Sequence, residues 1–222
     1  MPEGRTEILI AGFGGQGIIL AGVILGRAIA LYEGKNAIQI QSYGPEARGG
    51  ACRSEVVVSD GEIDYPMVIR PDVFVAMSQE AFDRYIDRLK PEGTLIVDSS
   101  LVRFDEGEIR PRAYRVPATL AADELGRRVV ANVVMLGALG GLTGLVSKGA
   151  LERSVRDTAP KGTEELNLRA LGRGFEIAEG LRRLHSVAGG HLGRELIEVV
   201  EEGPSVDEEG IDGDPPLPQP KG

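Results

Sequence analysis

The chain has few of the residues that redox and metal chemistry require. Among its 222 residues there is one cysteine, Cys52, there are two histidines, and there is no tryptophan. A single thiol excludes an internal disulfide, a Cys-x-x-Cys zinc site and an iron–sulfur cluster held by thiolates of this chain alone. His185 and His191 have no cysteine or second carboxylate arranged around them, so we expect no metal site there. Any electron transfer must therefore use groups supplied by other subunits.

Basic charge and long apolar runs are also scarce. The 25 basic residues face 34 acidic ones, a net charge of −9, which argues against sequence-independent binding to nucleic acid or anionic lipid. The uncharged segment 129–147 is a poor membrane helix because it contains Asn132, Thr143 and several glycines. We predict a buried helical segment whose small residues permit close packing, inside the fold or against a partner. The first residues show neither a signal sequence nor a transit peptide, which predicts a cytoplasmic protein.

The common catalytic motifs are missing too. The sequence has no nucleophile elbow around a serine, no Walker lysine, no His-Glu-x-x-His and no cysteine cluster. We therefore expect a ligand-handling scaffold with no catalytic residue and no metal ligand of its own. The length favours one domain, predicted over 1–186, followed by a possible extra helix over 187–202 and an acidic, disordered tail over 203–222.

A glycine-rich turn is the most informative feature present. Residues 12–17 read Gly-Phe-Gly-Gly-Gln-Gly, and they stand between an apolar run over 7–11 and a helical pattern over 18–31. This spacing matches the dinucleotide fingerprint, and amides at a helix start attract anions. However, the next predicted strand, 37–42, lacks the acidic residue that holds the ribose of NAD or FAD. An ordinary dinucleotide site is thus disfavoured, and a tight turn without a ligand stays open.

A second loop leaves the strand predicted over 37–42. We expect that strand to pair in parallel with the strand over 7–11, so that both loops lie at the carboxyl edge of the sheet, where ligands of α/β proteins bind. The loop mixes glycine and proline with Tyr43, Glu46 and Arg48. Such a mixture is typical of a binding loop on a rigid scaffold. The alternative is that both charges are solvated and the tyrosine covers the core.

The remaining pattern completes an α/β fold. An Asp-Gly pair at 60–61 predicts an antiparallel hairpin of strands 52–58 and 62–69. Strands over 71–77 and 94–98 alternate with helices, and Asp98 at the end of the latter either contacts a ligand or serves as a turn and cap residue. We predict a three-layer, Rossmann-like α/β fold with a mostly parallel sheet and an inserted antiparallel hairpin.

Several of these motifs, in this order and spacing, resemble a known family. The segments 12–17, 42–50, 71–73 and 132–137 are similar to those of the gamma subunit, or equivalent domain, of the 2-oxoacid:ferredoxin oxidoreductases. The resemblance covers about residues 7 to 184, and segments 41–55 and 76–80 are most similar to the 2-oxoglutarate version. Pyruvate and branched-chain versions share the scaffold and remain alternatives.

The resemblance implies a complex that oxidatively decarboxylates a 2-oxoacid, transfers the acyl group to coenzyme A and reduces ferredoxin. It implies thiamine diphosphate, Mg and [4Fe-4S] clusters in partner subunits, and none bound by this chain alone. The expected partners are alpha and beta subunits, with a ferredoxin-like delta subunit as a further candidate, and neither nucleic acid nor membrane. The other hypotheses are a stand-alone nucleotide-binding Rossmann protein and a structural organiser that touches no ligand.

The predicted site consists of the two loops at the carboxyl edge. Their residues either contact a phosphate or carboxylate, of coenzyme A for example, or allow a neighbouring subunit to approach closely. The site residues are Gly12, Gly14, Gly15, Gln16, Gly17, Tyr43, Gly44, Glu46, Arg48, Gly49 and Gly50.

Overall fold

The computed structural model of the chain describes residues 4–42, 51–105 and 112–187. The chain divides by its internal contacts into Met1–Arg183 and Leu184–Gly222, and all the strands described here belong to the first unit. From residue 188 onward, the predicted extra helix and acidic tail lie outside the described residues.

The strands are β1 (Thr6–Phe13), β2 (Asn36–Ser42), β3 (Ala51–Ser59), β4 (Val73–Ala76), β5 (Thr94–Asp98) and β6 (Arg112–Val116). The helices are α1 (Ile18–Arg27), α2 (Gln79–Tyr85), α3 (Ala118–Glu124), α4 (Ala131–Thr143), α5 (Lys148–Thr158) and α6 (Glu164–Val187), with a π-helical turn after α1 (Ala28–Tyr32).

The strands form one mixed sheet in the order β2-β3-β1-β4-β5-β6. β1, β4, β5 and β6 are parallel neighbours, whereas β3 runs antiparallel to both β1 and β2. The predicted α/β class with a mostly parallel sheet and an antiparallel insertion is therefore confirmed. The predicted parallel pairing of the first two strands is wrong, because β3 lies between them. β1 and β2 nevertheless run in the same direction, so both end at the carboxyl edge.

The antiparallel insertion consists of β2 and β3, not of the two strands predicted around the Asp-Gly pair. The second of those strands does not form, because Pro66 has no N–H to donate and buried carboxylates bind the neighbouring amides. The Val68 N–H donates to Glu55 Oε2 at 3.2 Å, and the Ile69 N–H donates to Glu7 Oε2 at 3.0 Å. Glu7 and Glu55 are only 4% and 2% exposed. Side-chain acceptors thus replace the strand partner that the sequence pattern suggested.

The apolar residues of β1 alternate between two cores, one on each face of the sheet. Ile8 and Ile10 belong to the larger core with residues of α1, α3, α4, α5 and α6, whereas Leu9 and Ala11 belong to the smaller core with residues of α2. Each fully buried Ile or Leu side chain contributes about 1.5–3 kcal/mol relative to exposure. The two cores give the three layers that were predicted, and β1 is central to both.

The small residues of α4 bring it into backbone contact with α6. A Cβ on Gly137 would overlap the carbonyl oxygen of Leu171, and a Cβ on Gly174 would overlap that of Val134. The segment predicted over 129–147 as a buried helix with close-packing glycines is thereby confirmed, and the close approach is inside the fold. Within the described ranges, no helix combines the length and apolarity that crossing a membrane requires.

Candidate functional site

The glycine turn, residues 12–17, connects the end of β1 to the start of α1 at the carboxyl edge. Gly15 and Gly17 have φ angles of +98° and +73°, which residues with a Cβ adopt only with strain. The tip of the turn projects into solvent: Phe13 is 41% exposed, and Gly14 and Gly15 are exposed as well. The sequence therefore builds a turn whose apolar tip is available for contact.

The side chain of Gln16 ties the turn back onto the sheet. Its Nε2 donates to the carbonyl of Met77, just after β4, at 2.8 Å, and its Oε1 accepts from the Phe13 N–H at 2.6 Å. A Cβ on Gly12 would overlap Gln16 Oε1, so only glycine at that position leaves room for the amide. α1 packs on one face of the sheet and α2 on the other, so ligands of such folds bind between the ends of β1 and β4. Here the chain's own side chain spans that crevice.

Asn132, at the start of α4, holds the other end of the turn. Its Nδ2 donates to the Gly17 carbonyl at 3.0 Å, and its Oδ1 accepts from the Val133 N–H at 3.0 Å. Asn132 is 3% exposed, and a Cβ on Gly17 would overlap its Nδ2. The predicted site did not include Asn132. The sequence did contain a signal for Asn132, because it is the single polar residue in the apolar run 129–142. A buried amide requires hydrogen-bond partners, so a polar residue in such a run indicates a specific contact.

The space beneath the turn is apolar and tightly filled. As far as the described residues define it, this space has no room for a water molecule. Its lining residues are Ile10, Ala21, Val75, Met77, Asn132, Met135, Leu136 and Leu139. A buried nucleotide does not fit there, so any contact to the glycine turn is made at its exposed tip.

The second predicted loop lies outside the described residues, but the strand ends that flank it are placed. Phe13 pairs with Ala51, so this loop finishes beside the glycine turn, and Ser42 pairs with Arg53, so the loop starts one strand further away at the same edge. The strand ends from which both predicted loops leave therefore lie at the same edge of the sheet, with β3 between them. The predicted site residues outside the described ranges are Tyr43, Gly44, Glu46, Arg48, Gly49 and Gly50.

Asp98, predicted as either a ligand contact or a cap, anchors the start of α3. Its Oδ2 accepts from the Thr119 N–H at 3.0 Å and the Thr119 hydroxyl at 2.6 Å, and its Oδ1 accepts from the Ser100 N–H at 3.1 Å. The side chain is fully buried, and this burial raises the pKa of Asp98 above its ordinary value although the hydrogen bonds oppose the shift. Both oxygens are used by the chain, so Asp98 is a cap residue.

The single thiol is unsuited to cluster ligation. Cys52 is buried on β3, and burial raises the pKa of its thiol, which keeps it protonated near neutral pH. Among the residues described, no three His, Cys, Asp or Glu side chains are grouped to hold a metal ion. The side chains described here therefore offer neither a thiolate nor a metal site.

Four exposed apolar side chains surround the carboxyl edge, and together we name them the carboxyl rim. Phe13 ends β1, Leu101 follows β5, Leu120 lies in the first turn of α3 after β6, and Val129 precedes α4. They are 41%, 39%, 52% and 63% exposed, respectively. Their shared position at one edge makes the rim a candidate protein contact surface. Sequence patterns did not reveal the rim, because its members come from four separate segments.

Comparison with known proteins identifies the family. The sequence pattern of the pyruvate ferredoxin/flavodoxin oxidoreductase family matches residues 7–177. The chain belongs to this family.

Relatives within the pyruvate ferredoxin/flavodoxin oxidoreductase family include two archaeal proteins named 2-oxoglutarate synthase subunit KorC. The chain is 55% identical to that of Methanocaldococcus jannaschii over 80% of this chain and 96% of the relative. It is 56% identical to that of Methanothermobacter thermautotrophicus over 82% of this chain and 100% of the relative. The protein of the latter organism named pyruvate synthase subunit PorC is 33% identical over 79% of this chain and 97% of the relative.

Solved structures of the family share this fold. The keto/oxoacid ferredoxin oxidoreductase gamma subunit from Geobacter sulfurreducens is 45% identical, with a TM-score of 0.70 over 79% of this chain and 99% of that one. The 2-oxoglutarate:ferredoxin oxidoreductase from Magnetococcus marinus, solved with 2-oxoglutarate, coenzyme A and succinyl-CoA bound, is 28% identical. Its TM-score is 0.72, over 81% of this chain and 32% of that longer chain.

Proposed function

We propose that this chain is the gamma subunit of a 2-oxoglutarate:ferredoxin oxidoreductase. The observation that carries the proposal is the 55% and 56% identity to KorC proteins over nearly their whole length, against 33% to a pyruvate synthase subunit. The structure is consistent with a subunit that supplies no cluster ligand, because its one thiol is buried and this burial raises the pKa of the thiol. We propose that the complex is located in the cytoplasm.

The complex would convert a 2-oxoacid and coenzyme A into an acyl-CoA and carbon dioxide, with the electrons passing to ferredoxin. Thiamine diphosphate with Mg supplies the carbanion chemistry, and [4Fe-4S] clusters carry the electrons, in the alpha and beta subunits and in a ferredoxin-like delta subunit if one is present. The role of this chain in the complex is to contact those subunits through its carboxyl edge. Coenzyme A enters as a co-substrate and is not held by this chain alone.

The glycine turn is proposed as a subunit contact and not as a phosphate site. Two observations support this: Gln16 spans the crevice in which a pyrophosphate would lie, and Asn132 is bonded to the Gly17 carbonyl. The exposed tip, with Phe13 as its apolar side chain, is left to meet a partner. For Arg48 in the second loop we propose contact with an anionic group of coenzyme A or the oxoacid, which its guanidinium suits.

Co-purification tests the proposed function. The tagged full-length chain, expressed in cells that contain the native complex, is expected to isolate subunits with a thiamine-binding motif and cysteine clusters. The isolated complex should reduce ferredoxin with 2-oxoglutarate and coenzyme A faster than with pyruvate or 2-oxoisovalerate. A chain that isolates no such subunits, or binds a flavin or nicotinamide tightly by itself, contradicts the proposal.

A pair of variants separates the two roles proposed for the loops. Phe13→Ala is expected to weaken assembly while leaving the Michaelis constants of the assembled complex unchanged. Arg48→Ala is expected to raise the Michaelis constant for coenzyme A or for 2-oxoglutarate at least several-fold without affecting assembly. Leu31→Ala, at a residue 59% exposed in the turn after α1 and away from the rim, is the control for assembly. Unchanged assembly with Phe13→Ala contradicts the contact role.

A further inference from the structure

The two edges of the sheet differ in how they are protected. β6 has five residues, of which Arg112 and Arg115 are charged, and the Arg115 guanidinium donates to the Phe104 carbonyl at 2.9 Å and lies over its ring. β2 has seven residues, with no charge and no proline. Exposed edges in stable proteins are usually short, charged, interrupted or covered, since an open edge pairs with other chains. Among the residues that the structure describes, β6 has such protection and β2 lacks it.

β2 is a regular strand along its whole length. It pairs with β3 from Asn36 opposite Ser59 to Ser42 opposite Arg53 without a bulge, and in the described ranges no strand pairs with its other side. Gln39 is on the face covered by α1, since its Nε2 donates to Ser54 Oγ at 2.8 Å near Gly22. Strand alternation then places Ile38 and Ile40 on the opposite face, and both are partly exposed.

We propose that β2 pairs antiparallel with β2 of a second copy of this chain. The two-fold axis passes between the two Gln39 residues, and the two six-stranded sheets join into one continuous sheet. In this register all seven residues of each strand find a partner. The pairs are Asn36 with Ser42, Ala37 with Gln41, Ile38 with Ile40, and Gln39 with Gln39.

The sequence of β2 is complementary to itself in this register. Ile38 meets Ile40 of the other copy on one face, and these apolar pairs occur twice because the contact is two-fold. The opposite face pairs glutamine and alanine, and no charges of like sign are placed together. Registers centred on Ile38 or Ile40 leave residues at one strand end unpaired. This self-complementarity favours a second copy over a different subunit as the occupant.

Cross-linking of the full-length protein tests the register. In the proposed dimer, the Cβ atoms of the two Gln39 residues lie about 4.5–5.5 Å apart, close to the separation that a disulfide requires. Gln39→Cys is expected to form a disulfide-linked dimer under mild oxidation. The matched control is Leu31→Cys, an exposed position off the strand. The native Cys52 is buried, so the unmodified protein should give no cross-link.

Sedimentation equilibrium of the full-length chain supplies the second measurement. The wild type is expected at twice the 23.7 kDa chain mass, and Ile40→Lys is expected to raise the dissociation constant of the dimer at least tenfold. Leu31→Lys should leave the dimer intact, and circular dichroism should show the wild-type spectrum for both variants. A wild-type chain that stays monomeric, or a Gln39→Cys variant that links only to another subunit, overturns the proposal. Neither result bears on the oxoacid chemistry, which co-purification tests separately.

Discussion

At the scale of single residues, the glycine turn depends on the amides of Gln16 and Asn132. One joins the ends of β1 and β4, and the other joins α4 to the start of α1. In dinucleotide-binding proteins, a bound pyrophosphate occupies the equivalent place beside the helix start. Here side-chain amides contact both sides of the turn, and these contacts support the proposal that the turn is a subunit contact.

Asn132→Ala is expected to destabilise the fold although the residue is distant in sequence from the turn. The variant loses a buried hydrogen bond to Gly17, which lowers the free energy of unfolding by about 1–3 kcal/mol in urea titrations. Asn36→Ala is the matched control, because Asn36 Nδ2 also donates to a backbone carbonyl, that of Gly61, but at an exposed position. Its effect should stay within about 0.5 kcal/mol. Equal losses in the two variants contradict the role of Asn132.

Asp98 is expected to make stability depend on pH in an unusual direction. Its pKa is raised by burial, so the folded protein binds this proton more tightly than the unfolded chain does. The contribution of Asp98 to the free energy of unfolding is therefore largest at low pH. It decreases as the pH rises from about 4, the ordinary range of a carboxyl, through the folded pKa of Asp98.

Thermal unfolding of Asp98→Asn, compared with wild type across this pH range, measures the effect. The variant loses stability at every pH, because its amide nitrogen cannot accept from the Thr119 or Ser100 donors. The loss should be smaller at neutral pH than at low pH, since the variant lacks the titrating group. A difference between the two proteins that is constant with pH contradicts the raised pKa.

At the scale of elements, α4 and α6 pack with their backbones in contact. Glycines on both helices let their backbones meet, and larger side chains beside them fill the remaining space. This part of the fold was predictable, because an uncharged helix with several glycines needs a close neighbour wherever it is buried. Which helix it meets was not predictable, since α6 lies more than twenty residues further along the chain.

Alanine substitutions in α4 and α6 measure how tight this contact is. Gly137→Ala is expected to lower the free energy of unfolding by about 1–3 kcal/mol, because its Cβ overlaps the Leu171 carbonyl and must push the helices apart. Gly172→Ala, in α6 but with open space around its Cβ, is the control and should stabilise by about 0.5–1 kcal/mol. Similar effects at both positions contradict close packing of the two backbones.

In the sheet, sequence patterns predicted the local elements but not the pairing between distant strands. The strand, glycine turn and helix from Thr6 to Arg27 follow from local periodicity, and the Ser78 cap of α2 follows from residue type. The insertion of β3 between β1 and β2 does not, because pairing between distant strands leaves no local pattern. The hydrogen bonds from the amides after Pro66 to Glu7 and Glu55 were not predictable either, because their acceptors belong to other strands of the chain.

At the scale of the whole molecule, several exposed features that do not pack into either core lie at the carboxyl edge. The glycine turn, the ends of the undescribed second loop and the carboxyl rim all lie there, whereas the interior beneath them is filled. The two cores account for the stability of the chain, and the rim does not contribute to either. In the described part of the chain, this arrangement supports the proposal that the carboxyl edge serves as a contact surface.

Polar substitutions in the rim are expected to separate assembly from stability. Leu120→Ser combined with Val129→Ser removes two apolar side chains that are 52% and 63% exposed. The thermal midpoint of the free chain should shift by no more than about 2 °C, while the yield of co-purified partner subunits falls several-fold. Leu31→Ser is the control for both measurements. Full recovery of partners with the double variant would rule out the rim as their contact surface.

Because hydrogen bonds from Gln16 and Asn132 hold the glycine turn in place, its tip is preorganised for association. A partner that docks on Phe13 would not have to order this loop, and so avoids the entropic cost that flexible binding loops incur. Complex formation at this point should resemble the meeting of two rigid bodies, with association rates that do not depend on substrate or coenzyme.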